Sequence, residues 1–155
     1  MRKKRAKKRT LLPDLQYQDP LVTRFINNMM VQGKKNLAAS LFYGALRMVG
    51  EKTGEGGLTV WRKALQNATP AVEVKRRRVG GTTLQVPVEI RGDRRTYLAI
   101  KWLITQARSR PEKTTKERLV NEIIAASQGE GKAVKRKTET HKMAESNRAF
   151  SHLRF

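Results

Sequence analysis

Hydrophobic positions recur along the chain at helical spacing, and glycines and prolines interrupt them. Leu21, Val22, Phe25, Ile26, Met29 and Met30 form a first stripe. Asp19 ahead of Pro20 predicts its start, because an Asp side chain can accept from the open amides of a first turn and proline fits the first helical position. Gly33 predicts its end. Leu37, Ala38, Leu41, Phe42, Ala45, Leu46 and Val49 mark a second helix, broken by Gly54-Glu55-Gly56-Gly57. Val60, Trp61, Ala64, Leu65 and Ala68 mark a third, closed before Pro70. These stripes read as core.

After Pro70 the period becomes two. Val72 and Val74 alternate with Ala71, Glu73 and Lys75; beyond Gly80-Gly81, Leu84, Val86, Val88 and Ile90 alternate with Gln85, Pro87 and Glu89. The pattern predicts a hairpin at about residues 71–91. Pro87 lacks a ladder amide, which limits its strand to an edge or an outward-facing place. A lone strand pair is marginal in water, so its base is expected to lean on helices while its tip projects.

Helical spacing resumes with Asp93 as the expected N-cap, and Leu98, Ala99, Trp102, Leu103, Ile104 and Ala107 supply a broad apolar face up to Pro111. Thr114-Thr115-Lys116-Glu117 reads as a capping box opening a fifth helix with Leu119, Val120, Ile123, Ile124 and Ala126, ended by Gly129. From Lys132 to Arg148 only Ala133, Val134, His141, Met143 and Ala144 are available for packing, so a sixth helix is polar around most of its girth. The expectation is a mainly α protein: a six-helix domain over residues 19–155 with one protruding two-stranded β-hairpin, preceded by a basic flexible arm over residues 1–18.

Charge changes the picture. Among 155 residues, 34 Lys and Arg face 13 Asp and Glu, a formal net charge of +21. Such an excess self-repels in a compact chain and calls for a polyanionic partner. Arg2, Lys3, Lys4, Arg5, Lys7, Lys8 and Arg9 form an acid-free block, and removing their seven charges still leaves +14. This start resembles the basic end of a signal peptide, but no apolar stretch follows, so secretion is not supported. No segment nears the ~20 apolar residues of a membrane span.

There are no cysteines, which excludes disulfides, zinc ribbons and thiol nucleophiles, and only His141 and His152 offer imidazole. Nucleophile elbows, phosphate loops and dinucleotide fingerprints are absent. The expectation is a non-enzyme with no cofactor, no metal and no small-molecule substrate.

The cations cluster. Lys75-Arg76-Arg77-Arg78 occupies the hairpin, where alternation sends its members to both faces. Planar guanidinium groups suit phosphate, bonding two oxygens at once. Arg91, Arg94 and Arg95 fall at the start of the fourth helix, where cations oppose the macrodipole unless an anion is present. Lys34 and Lys35, then Arg108, Arg110, Lys113, Lys116 and Arg118, extend the basic surface. Lys132, Lys135, Arg136, Lys137 and Lys142 carry it into the last helix, followed by Asn147, Arg148, Phe150, His152, Arg154 and Phe155. Aromatics among arginines can stack on unpaired bases or on a protein neighbour, and the residues leave both open.

Several long stretches in order then carry a resemblance. Phe25-Ile26-Asn27-Asn28-Met29-Met30 through Gly33-Lys34-Lys35, Pro70 to Lys75 continuing as Arg77-Arg78-Val79-Gly80-Gly81, Gln85-Val86-Pro87-Val88-Glu89, Trp102-Leu103 with Ala107-Arg108, and Lys142 to Phe150 resemble the bacterial-type family of ribosomal protein seven of the small subunit. The resemblance implies a cytoplasmic structural constituent of the small ribosomal subunit, an organellar ribosome being left open. It implies that the chain binds the 3′ major domain of small-subunit rRNA early and nucleates assembly of the head. The arm, the Lys34-Lys35 region, the hairpin and the fourth helix would face rRNA. The tip, Gly80, Gly81, Thr82 and Thr83, would look toward the exit-site tRNA and the mRNA exit path. Lys142, Asn147 and Arg148 would lie near that tRNA and ribosomal protein eleven. Arg76 departs from the small polar residue common in the family, and Ser151 to Phe155 lack its bulkier terminal aromatics. The alternative reading from the residues is an architectural DNA-binding protein with a minor-groove hairpin.

Overall fold

The computed structural model describes residues 9–153. The expected arm residues Arg2 to Lys8 lie outside the described residues. The chain divides into two compact units, one up to Ser40 and one from Leu41.

In the first unit, α1 spans Pro20–Met29 and begins as the sequence predicts: Leu21 N donates to the Asp19 carboxylate at 2.8 Å, with Pro20 in the first turn. Val22, Phe25, Ile26 and Met29 are buried. The helix stops at Met29 rather than at Gly33; Gly33 instead takes φ +73° between helices, a value glycine adopts without Cβ strain. Hydrogen bonding reaches back before α1. Asp14 accepts from Gln16 N and Tyr17 N, both at 3.1 Å, and Thr23 Oγ1 donates to Leu12 O at 2.9 Å. Helix α2, Lys35–Thr53, starts in this unit with Leu37 exposed and Ala38 buried, so the second stripe begins one residue later than its spacing implies.

The remainder of α2 belongs to the second unit, with α3 (Gly57–Ala68), β1 (Val72–Val79), β2 (Thr82–Glu89), α4 (Gly92–Arg108), α5 (Thr115–Ser127), α6 (Lys132–Ser146) and a short 3₁₀ segment, Arg148–Leu153. Phe42 meets Trp61 edge to face with ring centroids 5.5 Å apart, and both are wholly buried. Such a contact adds about 1 kcal/mol to the burial itself. Helix α3 comes so close to α2 that a Cβ on Gly57 would lie 2.0 Å from the Leu46 carbonyl oxygen. Gly57 is therefore part of the packing, and the break between the helices is shorter than the glycine cluster suggests. Ile100, Leu103, Ile104, Val120 and Ile123 from α4 and α5 complete the core. Asn67 Nδ2 donates to Ala126 O and Ser127 O at 3.0 Å, occupying carbonyls at the end of α5 that have no partner within the helix.

Two expected caps part company. Thr114 and Glu117 form the full reciprocal box at 3.2 Å each way. At α4, however, Arg91 is the N-cap and makes no side-chain cap bond, while Asp93 lies inside the first turn. A carboxylate there still favours the positive end of the helix dipole.

The hairpin forms with Lys75 opposite Val86 and a two-residue turn, Gly80 and Gly81, at φ +55° and +86°. Left-handed backbone at both positions matches the twist of the flanking strands. This register overturns the expected burial of β1. Cross-strand partners share a face, so Val72 and Val74 lie with Pro87, Gln85 and Thr83, whereas Glu73, Lys75 and Arg77 share the face of Val86 and Leu84. Glu73 is buried and Val72 and Val74 are only half-buried. Pro87 is buried too, not turned outward; in a two-stranded ribbon both strands are edges, which removes the need for its amide. The base rests on α6 and on the 3₁₀ segment, with Ala71 N donating to His141 Nε2 at 3.1 Å. The sixth helix ends at Ser146, short of Arg148, and Met143 is exposed rather than packed.

Candidate nucleic-acid interface

The second unit presents its cations in two settings. On the outer part of the ribbon, residues 75–86 contain no acid. Arg76 and Arg78 are exposed on one face opposite Gln85 and Thr83, themselves exposed. The pleat of β1 does send the four cations to both faces, and the other face differs. Lys75 approaches Glu73 at 3.6 Å while half its side chain remains in solvent, a pair worth little in water. Arg77 is half-buried and its guanidinium donates to the carbonyl of Leu153, tying the 3₁₀ segment to the ribbon. The tip residues Gly80, Gly81, Thr82 and Thr83 are all exposed.

At the foot of the ribbon, Glu73 takes Arg94 Nε at 2.8 Å, and Arg95 Nε donates to Ile90 O at 2.8 Å. These bonds relieve part of the conflict between cations and the start of α4, although half of the Arg94 side chain still faces water. Arg91 stays exposed.

Around the turn between α4 and α5 the arrangement points inward. Arg110 Nε donates to the wholly buried Glu122 at 2.8 Å, and its Nη1 to Glu112 at 3.1 Å. Burial alone would lower the Arg110 pKa; hydrogen bonds and charge from Glu122 and Glu112 outweigh it and hold the group above its ordinary value. The bond from Asn121, with backbone bonding and Arg110, keeps Glu112 below the usual carboxylate range. Glu122 also accepts from Ala133 N at 2.9 Å, so one buried carboxylate fastens both the turn and the start of α6. Arg118 Nε donates to Glu112 O, and Lys116 lays its stem over Gly44. Arg108 and Lys113 are exposed.

At the far end of α6, Lys142 and Arg148 are exposed, and Asn147 caps the helix with Nδ2 on Met143 O at 2.8 Å. In the first unit, Arg9, Lys34 and Lys35 are exposed. Sequence reasoning singled out the cations but not their internal acids. Glu122 sits between Val120 and Ile123 on α5, and a carboxylate flanked by core positions is the signal that some nearby cation must turn inward.

A helical scaffold that sets a ribbon in solvent with arginines and no acid along its outer part defines a class: the basic proteins that bind polyanions through a fixed surface. Relatives make the class specific. The family model described as ribosomal protein S7p/S5e matches residues 1–148. The chain is 68% identical over 154 residues to small ribosomal subunit protein uS7 of Amoebophilus asiaticus, covering 99% of each. It is 57% identical to uS7 of Cytophaga hutchinsonii over the whole of both chains, and 56% identical to that of Gemmatimonas aurantiaca over 99% of each. The chain therefore belongs to the S7p/S5e family of ribosomal proteins, a structural and non-enzymatic family.

Proposed function

We propose that the chain is a primary rRNA-binding protein of the small-subunit head, docking on the 3′ major domain and nucleating head assembly. The observation that carries this reading is the exposed ribbon face with Arg76 and Arg78, free of carboxylates along its outer part. Lys34 and Lys35, Lys75, Arg91, Arg108 and Lys113 supply further phosphate contacts, and Arg94 does so through the half of its side chain left in solvent. Arg95, Arg110 and Arg118 contribute by shaping the scaffold. By likeness to the family, the tip at residues 80–83 would approach exit-site tRNA and departing mRNA, and residues 142–148, at the end of α6 and just beyond it, that tRNA and ribosomal protein eleven. Residues 2–9 would add a basic arm to the same rRNA.

Binding of the full chain to head-domain rRNA and to duplex DNA at matched salt tests the proposal. Preference for the RNA with a steep salt slope, log affinity falling by about 0.7–0.9 per phosphate for each tenfold rise in salt, is the expected result. Equal affinity for duplex DNA would favour the architectural DNA-binding alternative.

A further inference from the structure

We propose that the groove between α4 and α6 is a second RNA site, one that holds a short unpaired strand with a base stacked on Trp102; the inference rests on the RNA-binding reading above. Lys101 and Trp102 line one wall, and Lys132, Lys135, Arg136 and Glu139 the other, around about 570 Å³. That volume lies within the usual range of ligand sites.

Three features favour an unpaired strand. Glu139 is the groove's carboxylate and is already paired to Arg136 at 3.2 Å, whereas Lys101, Lys132 and Lys135 have no acidic partner among the described residues. Lys132 is the first residue of α6, where a cation opposes the helix dipole and a bound phosphate would satisfy both. Trp102 is only half-buried, although it was expected within the core face, while Trp61 is wholly enclosed. An indole at a lysine-lined surface offers a stacking plane that accepts any base, and the lysines track the backbone. A duplex buries its base faces and could not use that plane.

The two tryptophans make the test direct. Trp61 is shielded in the core, so emission lost on adding RNA reports Trp102. A short single-stranded oligouridylate should quench the full-length protein, with a midpoint that rises steeply with salt. Lys101→Gln, Lys132→Gln and Lys135→Gln together should raise that midpoint at least about tenfold and flatten the salt slope by about two, at about 0.7 per contact. Affinity for folded head-domain rRNA should change less than about threefold, because the hairpin surface is untouched. Trp102→Phe should abolish the quench yet keep binding of a labelled strand, since phenylalanine retains a ring. Unchanged emission at saturating oligouridylate, a triple variant that binds the strand normally, or a quench that survives Trp102→Phe would overturn the proposal. Failure of the wild type to bind folded head-domain rRNA would instead overturn the proposed function, leaving the oligouridylate result to judge this groove.

Discussion

The outer ribbon and the α4–α5 turn both carry closely spaced cations, yet the first turns Arg76 and Arg78 outward while the second draws Arg110 and Arg118 inward. The difference lies in the acids within reach. Between Lys75 and Val86 there are none, so Coulomb repulsion and solvation keep Arg76 and Arg78 in water. Around Arg110, Glu112 and the buried Glu122 are close at hand, and a buried carboxylate is tolerated only when paired and hydrogen-bonded. Local charge density therefore does not separate a binding surface from an internal clamp. The supply of acids from neighbouring elements does.

The sharpest way to break this comparison is at Glu122. Glu122→Gln removes the charge facing Arg110, and breaking a buried pair from one side typically costs about 3–5 kcal/mol. Thermal unfolding should show a large fall in midpoint, and any loss of RNA affinity should track the unfolded fraction. A variant with wild-type stability would mean that the α4–α5 cations are not a clamp.

The ribbon should show the converse. Replacing Lys75, Arg76 and Arg78 by Gln should weaken binding to head-domain rRNA about ten- to hundredfold, roughly 1.4–2.7 kcal/mol, and flatten the salt slope. The helical circular dichroism and melting midpoint should barely move. Arg77 is left in place because it holds the Leu153 carbonyl.

Much of the fold was legible because the apolar stripes are long and their caps chemically specific: Asp19-Pro20, the Thr114–Glu117 box and the Gly80-Gly81 turn all stand where their residue types require. What the pattern missed depends on cross-strand register and distant partners. Val72 and Val74 alternate as a buried face should, but pairing Lys75 with Val86 gives that face to Arg76 and Arg78, and buries Glu73 beneath Arg94. The candidate site was legible as a set of cations; which ones reach solvent was not, because Glu73 and Glu122 act from other parts of the chain.

A milder perturbation probes the tip. Gly81→Ala places a Cβ at φ +86°, which costs about 1–2 kcal/mol for an L residue although nothing stands within 4 Å of it. The cost should appear as faster amide exchange along Arg78–Thr83, with the helices unaffected. Uniform destabilisation of the whole unit would show that the ribbon and the helices unfold together.

The smallest effect is at the hairpin base. His141 Nε2 accepts from Ala71 N, so the imidazole is neutral with its proton on Nδ1. Burial first, and the charge of Lys137 second, push its pKa below the ordinary value. The unfolded chain then binds a proton before the folded one does. Stability from this residue is fully present above about pH 6.5, the ordinary imidazole pKa, and is lost progressively as the pH falls through that value toward the lower folded pKa. His141→Gln keeps an acceptor for Ala71 N but does not titrate, so its melting midpoint should vary less than the wild type's over about pH 5–7. Every other group is the same in the two proteins, so the difference between the two curves isolates His141. Parallel curves would remove His141 from the docking of the ribbon and leave its base held by α6 packing and the Arg77–Leu153 bond.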